Sequence, residues 1–311
     1  MTYPAPPGPT LDDTPALGAL QGALAARFGA GLQAVILYGS CLRGGDLLDG
    51  LVDLYVLVDP TPRAEPRAAL RLAGRVLPPN VYYLEVPLGR DTVRCKYAVL
   101  SLAQFERGTG PGRFESYFWG RFAQPVRVIW ADTPETEARL HAAFLRAGET
   151  LVRRALPALP PEGSLEALWQ GALALSYATE LRAERKGRAA ELAGHGRDFY
   201  AAMTRALLPR LGDRLTLHER DGALCYSARI PATARRAAPL IWGLRRVQGK
   251  TLSMARLIKG LFTFEGGLDY LAWKLSRHSG QVVEIPDKVR RRPLIHIWGL
   301  FWQLYRRGVF H

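Results

Sequence analysis

Apolar and polar positions along this chain follow two rhythms, one of strands and one of helices. Residues 14–28 repeat their apolar side chains at helical spacing, and the unbroken apolar run 34–37 predicts a buried strand packed beside that helix. A second hydrophobic strand, 50–59, follows a short loop rich in Gly and Asp and carries Asp53 near its start. Residues 64–76 predict a helix stopped by Pro78-Pro79. Residues 81–86 and 93–100 read as two strands joined by a turn containing Gly89. A short aromatic helix over 114–122 and another strand over 126–130 follow. Together these predict an α/β (α+β) fold, a mixed sheet with helices on its face, ending near Asp132.

Beyond that point the helical rhythm takes over. Residues 134–156 predict a long helix closed by Pro157, and Ser164 caps a next helix expected to run through Arg185. Residues 197–211 predict a third helix. Residues 214–219 and 223–228 then alternate around Asp221-Gly222, a strong hairpin signal. Helices followed by a hairpin suggest a winged-helix-like module. Residues 233–264 carry seven Lys and Arg and no acid. The chain closes with Arg290-Arg291-Arg292, an aromatic-rich stretch over 294–305, and Arg306-Arg307. Three regions are therefore expected: 1–133, 134–232 and a basic helical 233–311.

The 311 residues can bury a substantial core. A net charge of +14 points to an anionic partner, whether nucleic acid, an anionic membrane surface or a phosphorylated substrate. Three cysteines at unpatterned spacing argue against a disulfide framework and offer no zinc-ligand pair. The Pro-rich start carries no targeting signature, and no run reaches the roughly 18 apolar residues of a spanning helix. A soluble or peripheral protein is expected, cytoplasmic and on the inner face of the cell membrane. As a helix, 294–305 would span about 18 Å against a hydrocarbon core near 30 Å. Trp298, Trp302, Tyr305 and the flanking basic clusters instead suit the headgroup boundary.

The candidate chemistry lies at Tyr38-Gly39-Ser40. Gly39 lets backbone approach a ligand, and Ser40 would sit among unpaired N–H groups if a helix started at Cys41. With Asp53 on the following strand, this resembles the nucleotidyltransferases of the DNA polymerase beta type, where the corner holds a triphosphate and the acid a magnesium ion. Such enzymes set two acids two residues apart. Here Leu51 and Tyr55 occupy the positions on either side of Asp53, and Asp59, six residues on at about 3.3 Å each, lies near 20 Å away. A second acid must come from elsewhere, either Glu85 on the next predicted strand or Glu180.

Five blocks together resemble the mitochondrial-type phosphatidate cytidylyltransferases, which make CDP-diacylglycerol from CTP and phosphatidic acid. They are Tyr38-Gly39-Ser40 with Asp53, then Val81-Tyr82-Tyr83 with Lys96-Tyr97-Ala98-Val99, then Gly120-Arg121 with Pro125-Val126. Leu175-Ser176-Tyr177 with Glu180 and Arg182 comes next, and last Lys259-Gly260-Leu261-Phe262-Thr263. Ala98 stands where the family usually has glycine, and no transit peptide is expected, which suits a bacterial relative. The resemblance implies a nucleotidyltransferase domain, a winged-helix domain and a membrane-associating C-terminal part. It implies Asp53, Lys96 and Glu180 as catalytic residues, Tyr38, Gly39, Ser40 and Lys96 around CTP, and Asp53 and Glu180 around Mg2+. It also implies Arg121, Arg182 and Lys259 as contacts to substrate phosphate. Partners would be CTP, phosphatidic acid and an anionic membrane. Nucleic acid is not expected, and a homo-oligomer is left open. The histidines show no ligand spacing and read as structural or surface residues. Two rival readings are a nucleotidyltransferase with another acceptor, such as RNA or an antibiotic, and a winged-helix nucleic-acid-binding module without catalysis.

Overall fold

The computed structural model describes residues 2–7, 14–43, 46–59, 68–181 and 188–263, with Pro286 and Val289. Helix α1 (Pro15–Phe28) leads into strands β1 (Leu32–Tyr38) and β2 (Val52–Val58), then α2 (Ala68–Val76), β3 (Asn80–Leu88) and β4 (Asp91–Leu100). Helices α3 (Leu102–Thr109) and α4 (Tyr117–Phe122) precede β5 (Arg127–Ala131). These strands form one mixed sheet in the order β3-β4-β2-β1-β5, antiparallel except for the parallel β2–β4 pair.

The alternation along each strand separates two apolar layers. Val35, Leu37, Leu54 and Val56 face α1, where Leu20 and Leu24 are fully buried. Ala34, Ile36, Tyr55 and Leu57 face the opposite side, against Phe105, Phe118 and Phe122 of α3 and α4 and Phe144 of the long helix α5 (Pro134–Ala155). That second layer continues without a break into the following region, which contains β6 (Glu162–Ser164), α6 (Leu165–Tyr177), α7 (Arg188–His195) and α8 (Arg197–Leu211). A hairpin of β7 (Leu215–Arg220) and β8 (Ala223–Ala228) closes a three-stranded sheet of order β6-β8-β7. Its turn is the one expected from sequence, with φ of 53° at Asp221 and 74° at Gly222. Helix α9 (Ala232–Thr263) then runs for 32 residues back across the molecule, reaching β3.

Several expectations are corrected. No α-helix starts at Cys41; Ser40–Arg43 is a single 3-10 turn, so the run of aligned, unpaired N–H groups expected behind Ser40 is not built there. Helix α6 stops at Tyr177 rather than continuing through Arg185. The Thr179 hydroxyl donates to the Ser176 carbonyl (2.7 Å) and the Glu180 N–H to the Tyr177 carbonyl (2.9 Å), turning the chain. Gly249 of α9 packs on that turn; a Cβ there would fall 2.6 Å from the Thr179 oxygen. Helices α3 and α7 were not expected. The sequence carried a sign of α3, since Ser101 and Gln104 form a reciprocal capping box. Arg182 and residues 294–305 lie outside the described residues. Among the described residues no helix is long and apolar enough to cross a membrane.

Candidate functional site

Strand register assembles the first part of the site. Tyr38 of β1 pairs with Asp53 of β2, Asp53 with Lys96 of β4, and Lys96 with Tyr83 of β3. Paired residues project to the same face, so Tyr38, Asp53 and Lys96 form a row across three adjacent strands. Lys96 therefore sits on an interior strand, its ammonium 3.7 Å from Asp53 Oδ1. Gly39 turns the chain at φ 89°, and a Cβ there would lie 3.1 Å from Asp53 Oδ2. Only glycine lets the corner close over that carboxylate without strain.

Helix α4 supplies the facing wall. A Cβ on Gly120 would land on the Ser176 hydroxyl, 1.8 Å away, so the missing side chain lets α4 lie directly on α6. The next residue, Arg121, is thereby held between the sheet and the end of α6. It donates to the Tyr55 hydroxyl (2.9 Å) and to Glu180 Oε1 (3.4 Å). Its guanidinium also lies over the Tyr117 ring at 4.6 Å, and the guanidinium of Arg256 from α9 lies over the same ring at 4.0 Å. Burial pushes the Tyr117 phenol up, but Arg121 and Arg256 outweigh it and leave its pKa below the ordinary value. Burial likewise opposes the Arg121 charge, and Tyr55, Tyr117 and Glu180 around it overcome that and hold it protonated.

These groups line one cavity of about 250 Å³, with Tyr38, Gly39, Ser40, Asp53, Arg121 and Glu180 in its wall. That is below the roughly 300–1,000 Å³ of pockets that enclose a whole drug-sized ligand, so it would hold part of a nucleotide rather than surround one. Burial raises the pKa of Asp53, and Lys96 and Arg121 pull against the rise. Burial leaves this carboxylate short of the solvation a cation would supply, while Lys96 and Arg121 already offset part of its charge.

Mg2+ needs few protein ligands, commonly one or two carboxylates, with water and phosphate oxygens completing its octahedron. No cluster of three or more His, Cys, Asp or Glu converges among the described residues. Asp53 and Glu180 in one cavity nonetheless match the hard-oxygen donors that this ion takes. Of the two acids open as a partner for Asp53, Glu180 lines the cavity, whereas Glu85 is bound by Arg94 (3.1 Å) and Tyr83 (2.6 Å). Glu180 itself is engaged by Arg121.

Lys259 does not line the cavity. Its ammonium donates to the carbonyls of Leu77 and Pro79 and to Asn80 Oδ1. Sequence reasoning missed other wall residues. Gln124 and Tyr177 face the cavity joined by a hydrogen bond of 2.7 Å, and His195, read earlier as structural or surface, stands at the end of α7. Its Nδ1–H donates to the Glu191 carbonyl (2.8 Å). Gln124 and His195 belong to no spacing pattern that could have marked them, whereas Tyr177 stands in the block Leu175-Ser176-Tyr177 that carries the resemblance. Set against known proteins, the chain matches no family model and no curated protein.

Proposed function

We propose that the protein is a magnesium-dependent nucleotidyltransferase that makes CDP-diacylglycerol and pyrophosphate from CTP and phosphatidic acid. One observation carries this reading. Ser40, Asp53, Arg121 and Glu180 come from separate parts of the chain, yet line one cavity, and Lys96, outside its lining, pairs with Asp53. The arrangement suits two polyanions. Ser40 and Gly39 offer a hydroxyl and close backbone to the triphosphate, and Lys96 and Arg121 offset the repulsion between nucleotide and acceptor. Asp53, with Glu180 as the nearest second acid, would hold Mg2+, which neutralises charge on the phosphate oxygens.

No protein base is required for this acceptor. A phosphate monoester has a second pKa near 6 and is already a nucleophile at neutral pH. One of its oxygens bonds to the α-phosphorus of CTP, the α–β bridging bond breaks, and pyrophosphate leaves with the electron pair. The row formed by Tyr38, Asp53 and Lys96 would orient the α-phosphate, and Arg121, clamped by Tyr55 and Tyr117, would meet it from the opposite wall. Positioning and electrostatics are what such a transfer asks of the protein.

The five-stranded sheet with its Gly-Ser corner and acidic neighbouring strand supports a nucleotidyltransferase domain. The succession α5, β6, α6, α8 and the β7–β8 hairpin, with β8 between β6 and β7, supports a winged-helix-like second domain. A fold of that kind does not by itself bring DNA binding. The decisive experiment incubates purified protein with each labelled nucleoside triphosphate, magnesium and phosphatidic acid in mixed micelles, then identifies the product. CDP-diacylglycerol is expected from CTP. Transfer only to another acceptor, or no turnover at all, overturns the reading.

A further inference from the structure

The cavity has two unlike sides. Strand β1 lies between β2 and β5, so the Gly39-Ser40 corner has Asp53 on one side and the start of β5 on the other. Leu37 pairs with Arg127, which brings Pro125 and Val126 beside the corner, and both line the cavity. Asp53, Arg121 and Glu180 carry the charge; among the described residues the remaining wall holds no Asp, Glu, Lys or Arg. Pro125, Val126 and Leu192 give it apolar surface. Tyr3 holds this side in place, its hydroxyl accepting the Val126 N–H (3.2 Å). Two polar groups of this wall are fixed in orientation. Gln124 Nε2 donates to the Gly120 carbonyl (3.1 Å), an atom that can only accept. The carboxamide therefore turns Oε1 toward Tyr177, whose hydroxyl donates to it at 2.7 Å, an ordinary O–H···O length. A phenol has one proton, so any further hydrogen bond at the Tyr177 oxygen is one that it accepts.

We infer that the β5 side of the cavity receives the nucleobase of the triphosphate, and that the Tyr177 oxygen, oriented by Gln124, selects an amino over a keto group at position 4 of a pyrimidine. A base is uncharged and planar, with apolar faces and a polar edge, which suits apolar walls carrying one oriented polar atom. Cytosine offers its N4 amino group as a donor to that oxygen. Uracil would set its O4 acceptor against a second acceptor, with no proton between them. The lipid acceptor fits this side less well. Both glycerol hydroxyls of phosphatidic acid are esterified, so its glycerol has no donor to give Tyr177. Tyr177 is then a specificity-determining contact, and Gln124 a positioning residue that acts through it. The inference rests on the nucleotidyltransferase reading and deepens it by naming what reads the base.

The test measures equilibrium binding of CTP and of UTP, each with Mg2+, to the full chain by calorimetric titration. These two nucleotides differ in the group at position 4. Wild type should prefer CTP by at least about tenfold. Tyr177→Phe removes one oxygen from a half-buried ring and should bring the two affinities within about twofold, chiefly by loss of CTP. Gln124→Leu leaves the Tyr177 proton uncommitted, so the hydroxyl can turn and donate to uracil O4. CTP should weaken and UTP tighten, opposite shifts that a structural defect, weakening both alike, does not produce. The ratio of the two affinities is also insensitive to any unfolded fraction in a variant. Transfer to phosphatidic acid is followed separately. A CTP preference that depends on Tyr177 without such transfer removes the acceptor reading and leaves this inference standing. Equal wild-type affinities overturn it, as does equal loss of both nucleotides in Tyr177→Phe, which would place that oxygen against the ribose. Equal weakening of both in Gln124→Leu removes Gln124 as the positioning residue. Binding of neither nucleotide by wild type overturns the inference together with the triphosphate reading.

Discussion

At Asp53, in the cavity wall, burial and charge conflict. Its carboxyl is pushed above the ordinary value by burial, despite Lys96 and Arg121. Between the ordinary and the raised value the folded state holds a proton that the unfolded chain has lost. Stability therefore falls as pH rises through that window, and the cost persists at neutral pH. Asp53→Asn removes the charge and keeps the size. It should raise Tm at neutral pH, lose that advantage below the ordinary carboxylate range, and abolish magnesium-dependent turnover. Thermal scans across pH with a turnover assay check all three, and a variant turning over CTP at the wild-type rate removes Asp53 from the metal site. Lys96 is the charge-assisted partner on the neighbouring strand. Such a contact to phosphate contributes about 1.5–3 kcal/mol, so Lys96→Ala should weaken CTP binding roughly ten- to a hundredfold. Equal affinity of both proteins in a CTP titration would take Lys96 out of the site.

At the scale of elements, α9 is tied to the sheet by a lysine rather than by apolar contact alone. Burial first, and Arg256 second, lower the pKa of Lys259 to about 8. Its ammonium caps three oxygens around residues 77–80. Between about 8 and the free lysine value near 10.4 the unfolded chain holds a proton that the folded state has released. The contribution of this group to stability thus rises with pH through that window. Lys259→Met should lower Tm near neutral pH, remove that rise, and leave the KM for phosphatidic acid unchanged. A raised KM with an unchanged Tm would instead make Lys259 an acceptor contact.

Over the whole molecule, a buried acid joins the basic helix α9 to the sheet domain beside the Lys259 contacts. Glu115, 2% exposed, bonds Arg256 of α9 and accepts from Arg113 at 3.2 Å. Arg256 in turn underlies Tyr117 and so, through it, Arg121 in the cavity. Removing one partner of a buried ion pair strands the other charge, at a cost of about 3–5 kcal/mol. Glu115→Ala should cost that much in urea unfolding, and Glu115→Ala/Arg256→Met should cost less than the two single changes added together. Strict additivity would show that the pair does not couple α9 to the sheet.

The sequence by itself determined the elements whose causes are local. The β7–β8 hairpin follows from Asp221-Gly222, which alone satisfies two positive φ angles. Helices α5 and α8 follow from long apolar periodicity, α5 opened by the Thr133 cap and α8 ended at Gly212, and the sheet strands from apolar runs bounded by turns. The Gly-Ser corner and Asp53 were legible because their meaning lies within one short stretch of chain. Tertiary structure decided what depends on distant neighbours. Helix α6 ends at Tyr177 in a turn at Thr179 on which Gly249, some seventy residues on, packs. Glu180 rather than Glu85 joins Asp53 in the cavity because Gly120 lets α4 and α6 touch, a contact that no periodicity encodes. Lys259, one basic residue among seven in its stretch, became a cap on residues 77–80 because α9 crosses β3. Gln124, Tyr177 and His195 enter the cavity wall for the same reason: their neighbours in space are set by packing, and one-dimensional spacing carries no record of it.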